Sequence, residues 1–234
     1  MTEAESRAPK RHTVRSFDDD LRDLTGRIVE MGSLAEQQVA GALAALADRD
    51  VDVAAAVIQR DEAVDELEEQ VDQAVVKLLA TRQPMAVDLR SISMALKISN
   101  DLERMSDYAV SIAKRSQRLA EQPELSPTLR IPRIGELCLG MFKDVLDAYV
   151  ERDVDKAREV IDRDKQVDEL YNSLFRELVT YMLEDPRTIS RCIELLFIAK
   201  NLERIGDHAT NIAEKIDYMI HGTQINRPRH ELDG

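Results

Sequence analysis

Tryptophan is missing from these 234 residues, and aromatic side chains make up only 4% of the chain. Eight glycines and seven prolines leave too few turn signals for a many-stranded fold. Cysteine is nearly absent as well. Cys138 and Cys192 stand alone on apolar helical faces, with no cysteine or histidine at metal-ligand spacing, which excludes a disulfide framework and a thiolate zinc site. Both are expected to be reduced core thiols. Nor is there a hydrophobic run long enough to span a bilayer, since even SRCIELLFIAKNL is broken by Arg191, Glu194 and Lys200. The opening MTEAESRAPKRHTVRSF carries basic residues but no apolar stretch that could serve as the core of a signal peptide. A soluble, cytoplasmic protein is expected.

Positive charge is in deficit too. Lys and Arg number 32 against 45 Asp and Glu, for a net charge of −13. Such a chain repels a phosphate backbone, so nucleic acid is not expected as a direct partner, whereas cations and basic protein surfaces are favoured.

What the chain does contain is helical composition: 33% charged residues, with long stretches rich in Ala, Leu, Val, Glu, Asp and Arg. It also repeats itself. A shift of 103 residues aligns Arg49–Asp52 with Arg152–Asp155, both RDVD, and RDEAVDEL from Arg60 with RDKQVDEL from Arg163. The same shift puts Gly32 on Gly135. Farther along, a shift of 100 aligns NDLERMSDYAVSIA from Asn100 with KNLERIGDHATNIA from Lys200, the three-residue difference falling in an intervening turn. The fold class that follows is all-α, a tandem duplication of a three-helix bundle.

Helices are expected over 20–48, 51–82 and 87–121, then over 133–151, 153–184 and 187–221. In the last of these, Ile198, Leu202, Ile205, Ala209, Ile212, Ile216 and Met219 recur in steps of four and three and mark a buried seam. Asp185-Pro186 is a helix start and Gly222 a helix stop. The chain then divides into a mobile N-terminal arm over 1–17, a first repeat over 18–121, a linker over 122–132 holding Pro123, Pro127 and Pro132, a second repeat over 133–222, and a tail over 223–234.

Within the repeats, Asp61 and Asp65 correspond to Asp164 and Asp168, and Glu103 and Asp107 to Glu203 and Asp207. Each pair is spaced i, i+4, which puts two like charges on one helical face about a turn apart. A helical chain this acidic produces several such pairs by chance. Recurrence of the same two pairs in both copies is what singles them out. If adjacent helices present them to each other, four carboxylates converge, and either some take up protons or a cation resolves the conflict. All-oxygen ligation suits Mg²⁺, Mn²⁺, Ca²⁺ or iron, and any shared site is expected to be a surface groove. Asp164 and Asp168 should flank an apolar seam, with Glu203 and Asp207 pointing outward.

Other polar residues carry less. His208 follows Asp207, but its counterpart is Tyr108, so it stands outside the repeated pattern as an accessory or ordinary surface histidine. His12, His221 and His230 lie in or near the tails. Arg104 and Arg204 repeat, as do Arg60 and Arg163. Ion pairs with neighbouring carboxylates explain them more simply than anion or partner binding.

NDLERMSD and NLERIGD, each preceded one helix earlier by RDxxVDEL, resemble the repeated signature of the PhoU family over about residues 18–222. The resemblance implies two similar three-helix bundles and no enzymatic activity. It implies a cytoplasmic adaptor between the ATPase subunit of the phosphate ABC transporter and the membrane sensor histidine kinase of phosphate-starvation genes. That adaptor would be a negative regulator of phosphate uptake and of the Pho regulon, meeting the membrane only through its partners. Family acidic pairs hold multinuclear metal clusters at the bundle surface, which makes Asp61, Asp65, Glu103, Asp107, Asp164, Asp168, Glu203 and Asp207 the expected ligands of Mg, Mn or Fe. A homodimer is also expected. Asp101 against Asn201 and Ser106 against Gly206 depart from strict repetition and leave the equivalence of the two sites open.

An alternative is a carboxylate-bridged di-iron oxidoreductase, but that class uses Glu-x-x-His on facing helices. Here Glu103 is followed three residues later by Ser106, and Glu203 by Gly206. A purely structural helical protein with solvated acidic faces is the third reading.

Overall fold

A computed structural model describes residues 10–125 and 130–223, with side chains from residue 17 onward. The described residues form α1 (Lys10–Asp48), α2 (Val51–Gln59), α3 (Asp61–Arg82), α4 (Val87–Ala120), α5 (Ile131–Glu151), α6 (Val154–Glu184) and α7 (Ile189–His221), with a 3₁₀ turn at Pro186–Thr188 before α7. No strand occurs among them. This is the expected all-α duplication, with α1 to α4 making the first bundle and α5 to α7 the second.

Three boundaries differ from the sequence reading. α1 begins at Lys10, well before residue 20 and inside the segment assigned to the arm. No glycine or proline lies between Lys10 and Thr25 to stop the helix propagating backwards. The helix expected over 51–82 is divided at Arg60, whose N–H is shared between the carbonyls of Ala56 and Val57, each at 3.3 Å. α5 starts at Ile131 inside the expected linker, because Pro132 falls in its first turn, where the missing N–H costs nothing. Residues 1–9, 126–129 and 224–234, which include parts of the arm, linker and tail, lie outside the described residues.

The repeated RDVD sequences are the turns that reverse the chain. Arg49 and Arg152 both adopt φ 55°, the left-handed conformation that ends a helix. The following Asp50 accepts hydrogen bonds from the N–H groups of Asp52 and Val53, and Asp153 does the same for Asp155 and Lys156, all at 2.9–3.0 Å. Each aspartate thereby caps the next helix.

Between the bundles, α4 packs against α7 and α1 against α5, each pair antiparallel about a pseudo-two-fold axis. A Cβ added at Gly32 would lie 2.5 Å from Cδ2 of Leu146, and one at Gly135 would lie 2.7 Å from Cδ1 of Leu43. Residues 32 and 135, like 43 and 146, are counterparts at the shift of 103, so one close contact occurs twice. Around the same axis, Asn201 Nδ2 donates to Ser111 Oγ at 2.9 Å, and Asp101 accepts from Lys215 Nζ at 2.5 Å while lying 2.9 Å from His208 Nδ1. The Tyr108 and His208 rings, themselves counterparts, sit 5.6 Å apart. The expected seam of α7 is buried along its whole length, from Ile198 at 0% to Met219 at 3% exposure, and one continuous core joins both bundles. Cys138 and Cys192 are free and buried in it.

Candidate functional site

The RDxxVDEL segments lie in α3 and α6, and the LER segments in α4 and α7. α3 packs on α4 and α6 on α7, and across these helix pairs Asp65 lies near enough to Asp107, and Asp168 to Asp207, for one charge to act on the other. The two ends of each pair differ in depth. In the first repeat Asp61 and Glu103 are half-buried while Asp65 and Asp107 are exposed. In the second, Asp164 is buried at 9% exposure and Glu203 is half-buried, with Asp168 and Asp207 exposed. Asp164 therefore sits deeper than a seam-flanking position, and Glu203 does not point fully outward. The site is a shelf running from the core edge to solvent.

Burial and mutual repulsion act on these carboxyls as expected for acids brought together. Glu103 is pushed up to about 7, first by desolvation and then by Asp107, with Arg104 opposing and Glu68 and Asp65 adding to the rise. Asp65 is raised by burial, Asp61 and Asp107. In the second repeat, Asp207 is pushed up to about 6 by burial, Glu203 and Asp168, with Lys200 and His208 opposing. The Cys138 thiol, whose Sγ lies 3.2 Å from the Leu202 carbonyl, is driven far up by burial and by the Asp164 carboxylate. Asp164 thus sits at the margin of the core, beside the Cys138 thiol.

The inner ends are built differently in the two copies. In the first, Ser106 Oγ donates to Asp61 Oδ1 at 3.0 Å and also meets Gln38. In the second, Gly206 replaces Ser106 and Met141 replaces Gln38. A Cβ on Gly206 would lie 3.1 Å from Asp164 Oδ1 and 3.8 Å from Met141 Cε. A hydroxyl anchors the first aspartate, while the missing side chain lets the second approach the backbone of α7.

Local charge differs as well. Glu68, next to the first site, has Tyr171 as its counterpart. Lys200, whose Nζ is 2.6 Å from Glu203 and 5.4 Å from the Tyr171 ring centroid, has Asn100. Repetition as a filter discards both Glu68 and Lys200, and the only signal for either is its spacing, Glu68 three residues after Asp65 and Lys200 three before Glu203. Arg104 pairs with Glu103 and Asp107 at 3.5 and 3.4 Å, and Arg163 pairs with Asp144. Arg204 lies 5.6 Å from the Tyr108 ring centroid.

Among the described residues, no three acidic, histidine or cysteine side chains converge closely enough to hold a metal ion as they stand. The donor set nevertheless fits a hard cation, being all oxygen, with Glu103 and Asp207 pushed up first by burial and then by their acidic neighbours. Among the described residues, no helix is long and apolar enough to cross a membrane.

Comparison with known proteins places the chain among relatives of known name. A family model described as the PhoU domain matches it twice, over residues 28–116 and 131–216. A phosphate-specific transport system accessory protein PhoU homolog of Caulobacter vibrioides is 51% identical over 223 residues, covering 95% of this chain and 97% of its own. One from Zymomonas mobilis is 47% identical over 92% of this chain and 90% of its own. The crystal structure of PhoU from Pseudomonas aeruginosa superposes with a TM-score of 0.86 at 41% identity, covering 88% of this chain and all of that one. The phosphate transport system regulatory protein PhoU from Streptococcus pneumoniae gives 0.83 at 29% identity, over 90% of this chain and all of that one.

Proposed function

Since this chain belongs to the PhoU family, we propose that it is an accessory regulator of a phosphate-specific transport system, acting in the cytoplasm through protein contacts rather than catalysis. The supporting observation is the match of both repeats to relatives that carry that name, at 51% identity across 95% of the chain. Its partners are the ATPase subunit of the transporter and the sensor histidine kinase, and its output is repression of uptake and of phosphate-starvation genes when phosphate is plentiful. The protein works as a homodimer. Co-purification should recover the ATPase or the kinase. Deletion should release starvation genes in high phosphate, and normal repression in the deletion strain would refute the reading.

The repeated acidic shelves are the second half of the proposal. Asp61, Asp65, Glu103 and Asp107 form one cation-binding set, and Asp164, Asp168, Glu203 and Asp207 the other, for Mg²⁺, Mn²⁺ or iron. The bound ion supplies the positive charge that lets all four carboxyls ionise together. Support comes from the upward shift of Glu103 and Asp207, caused first by burial and then by their acidic neighbours. Asp65, Asp107, Asp168 and Asp207 lie at the exposed end of each shelf, where an ion can reach them from solvent, and Asp61 and Asp164 lie at the inner end. Elemental analysis of protein purified without chelator or added metal tests this, and metal content unchanged by replacing Asp65, Glu103 and Asp107 together with Ala would overturn it.

A further inference from the structure

The pseudo-two-fold axis offers an internal comparison between the two flanks of the α4/α7 interface. On one flank, Arg115 and Arg118 pair with Glu194 at 2.7 and 3.3 Å, and the Arg115 guanidinium lies 4.1 Å from the Phe197 ring centroid. That flank is closed by an ion pair and an aromatic ring. At the shift of 100 residues, the other flank has Met94 in place of Glu194, Lys97 in place of Phe197 and Lys215 in place of Arg115. With Met94 rather than an acid at the position equivalent to Glu194, Lys215 reaches along α4 to Asp101 instead. A cleft of about 530 Å³ is left between the N-terminal half of α4 and the C-terminal half of α7.

Its polar lining consists of Arg90, Ser93, Lys97, Asn211, Lys215 and Tyr218, with Glu214 as the one acid. Three bases to one acid reverses the balance of a chain in which acids outnumber bases 45 to 32. Counting the buried Asp101 behind Lys215 still leaves bases in the majority. Antiparallel packing sets the amide end of α4 beside the carbonyl end of α7, so the helix dipoles offset each other and the side chains decide the sign. Two of the bases are held in place. Lys215 is fixed by Asp101 at 2.5 Å and the Asn211 carbonyl at 3.4 Å, and Arg90 is anchored through Nε to the Met219 carbonyl at 3.4 Å. That single bond uses one of the five guanidinium donors.

We infer that this cleft binds a phosphoryl-bearing small molecule of nucleotide size, with its phosphate between Lys97 and Lys215 and its remainder along Leu89, Arg90, Met94 and Tyr218. Guanidinium and ammonium groups supply charge-assisted hydrogen bonds to phosphate oxygens. A lone tetrahedral oxyanion would fill only a small part of a space that lies within the ordinary range for small-molecule sites. On the opposite flank the equivalent positions are occupied by Glu194 and Phe197, which pair with Arg115. The inference is independent of the acidic shelves, which lie on the faces toward α3 and α6.

Equilibrium binding of adenosine monophosphate and of inorganic phosphate to the full chain, at low ionic strength with chelator present, provides the test. The chelator keeps the carboxylate sites out of the measurement. Saturable binding should weaken by about tenfold or more in Lys97→Glu, the equivalent of ~1.4 kcal/mol. It should survive in Lys97→Arg, strengthen in Glu214→Gln and be unchanged by Arg118→Glu on the closed flank. Lys97 is exposed, so circular dichroism of these variants should match that of the parent. The nucleotide should bind more tightly than phosphate, and equal binding of the two would overturn the assigned ligand size. No saturable binding of either probe, or binding indifferent to Lys97→Glu, overturns the inference.

Discussion

Leu146 of α5 lies over the backbone of α1 at Gly32, so close that a Cβ there would come within 2.5 Å of its Cδ2, and Leu43 of α1 covers Gly135 of α5 in the same manner. These two contacts bring the first helices of the repeats together. Replacing Gly32 by Ala gains about 1 kcal/mol of helix propensity but forces the buried Leu146 aside, and overpacking costs roughly 1–3 kcal/mol. Gly32→Val lacks most of the propensity gain and should destabilise the chain by about 2 kcal/mol in urea unfolding. The penalty should shrink by about 1 kcal/mol or more when Leu146 is Ala, because the two residues share one space. Additive effects in that cycle would count against the close approach.

Proton competition at the acidic shelves gives a pH dependence of defined sign. Glu103 is held up to about 7 and Asp207 up to about 6, so over the window between their ordinary values and those values the folded, metal-free chain binds more protons than the unfolded chain. Stability contributed by these groups therefore falls as pH rises through that window. A cation reverses the trend. Manganese affinity should weaken about tenfold or more between pH 7.5 and pH 5.5, and Glu103→Gln should flatten the profile at the first site. Calorimetric titration at the two pH values checks this, and a flat profile in the parent protein would remove the basis for the metal reading.

The two shelves should bind unequally. Lys200 sits 2.6 Å from Glu203 in the second repeat, whereas in the first Arg104 stands farther off, at 3.5 Å from Glu103 and 3.4 Å from Asp107, and Glu68 adds a further acid. Titration should show two steps, with the first repeat filling first. Lys200→Asn should tighten the weaker step about fivefold, on the order of 1 kcal/mol for a partly exposed charge. A single step unaffected by Lys200→Asn would show that the local charge does not control affinity.

Asp101 is buried at 7% exposure and carries both Lys215 and His208 on its carboxylate. Asp101→Ala would leave those groups without their acceptor inside the α4/α7 interface and should cost about 2 kcal/mol in denaturant unfolding, at the low end for broken buried pairs because Lys215 is partly exposed. Asp101→Asn, which reproduces the residue at the pseudo-symmetric position 201, should cost about half as much. Equal losses in the two variants would mean that side-chain shape outweighs charge there.

Most of the architecture was legible because a duplicated sequence is its own alignment. Gly32 and Gly135, RDVD and the LER segments were anchors of the comparison before their roles as close-packing points, turn caps and acidic shelves were visible. What escaped the sequence was of two kinds. Propagation and division of helices depend on tertiary context: Pro9 stands directly before the start of α1 at Lys10 but does not by itself say how far back the helix reaches, and the break at Arg60 carries no proline or glycine to announce it. Single-copy residues escaped as well, because requiring repetition rejects Glu68, Lys200 and the paired Asp101 and Lys215 along with the chance carboxylates. The depth of Asp164 depends on Gly206 opposite it, a contact that helical spacing in one helix cannot show.

The pseudo-two-fold axis also changes what a point mutation can do. In a dimer of half-length chains, any substitution at the α4/α7 seam would appear on both flanks at once, and a change that opened one would open the other. Joining the halves into one polypeptide frees each flank to evolve alone, which is how Phe197 and Glu194 can seal one side while Lys97 and Met94 leave the other open. The molecule keeps the economy of a symmetric fold and behaves, at its surface, as a heterodimer with a fixed one-to-one composition.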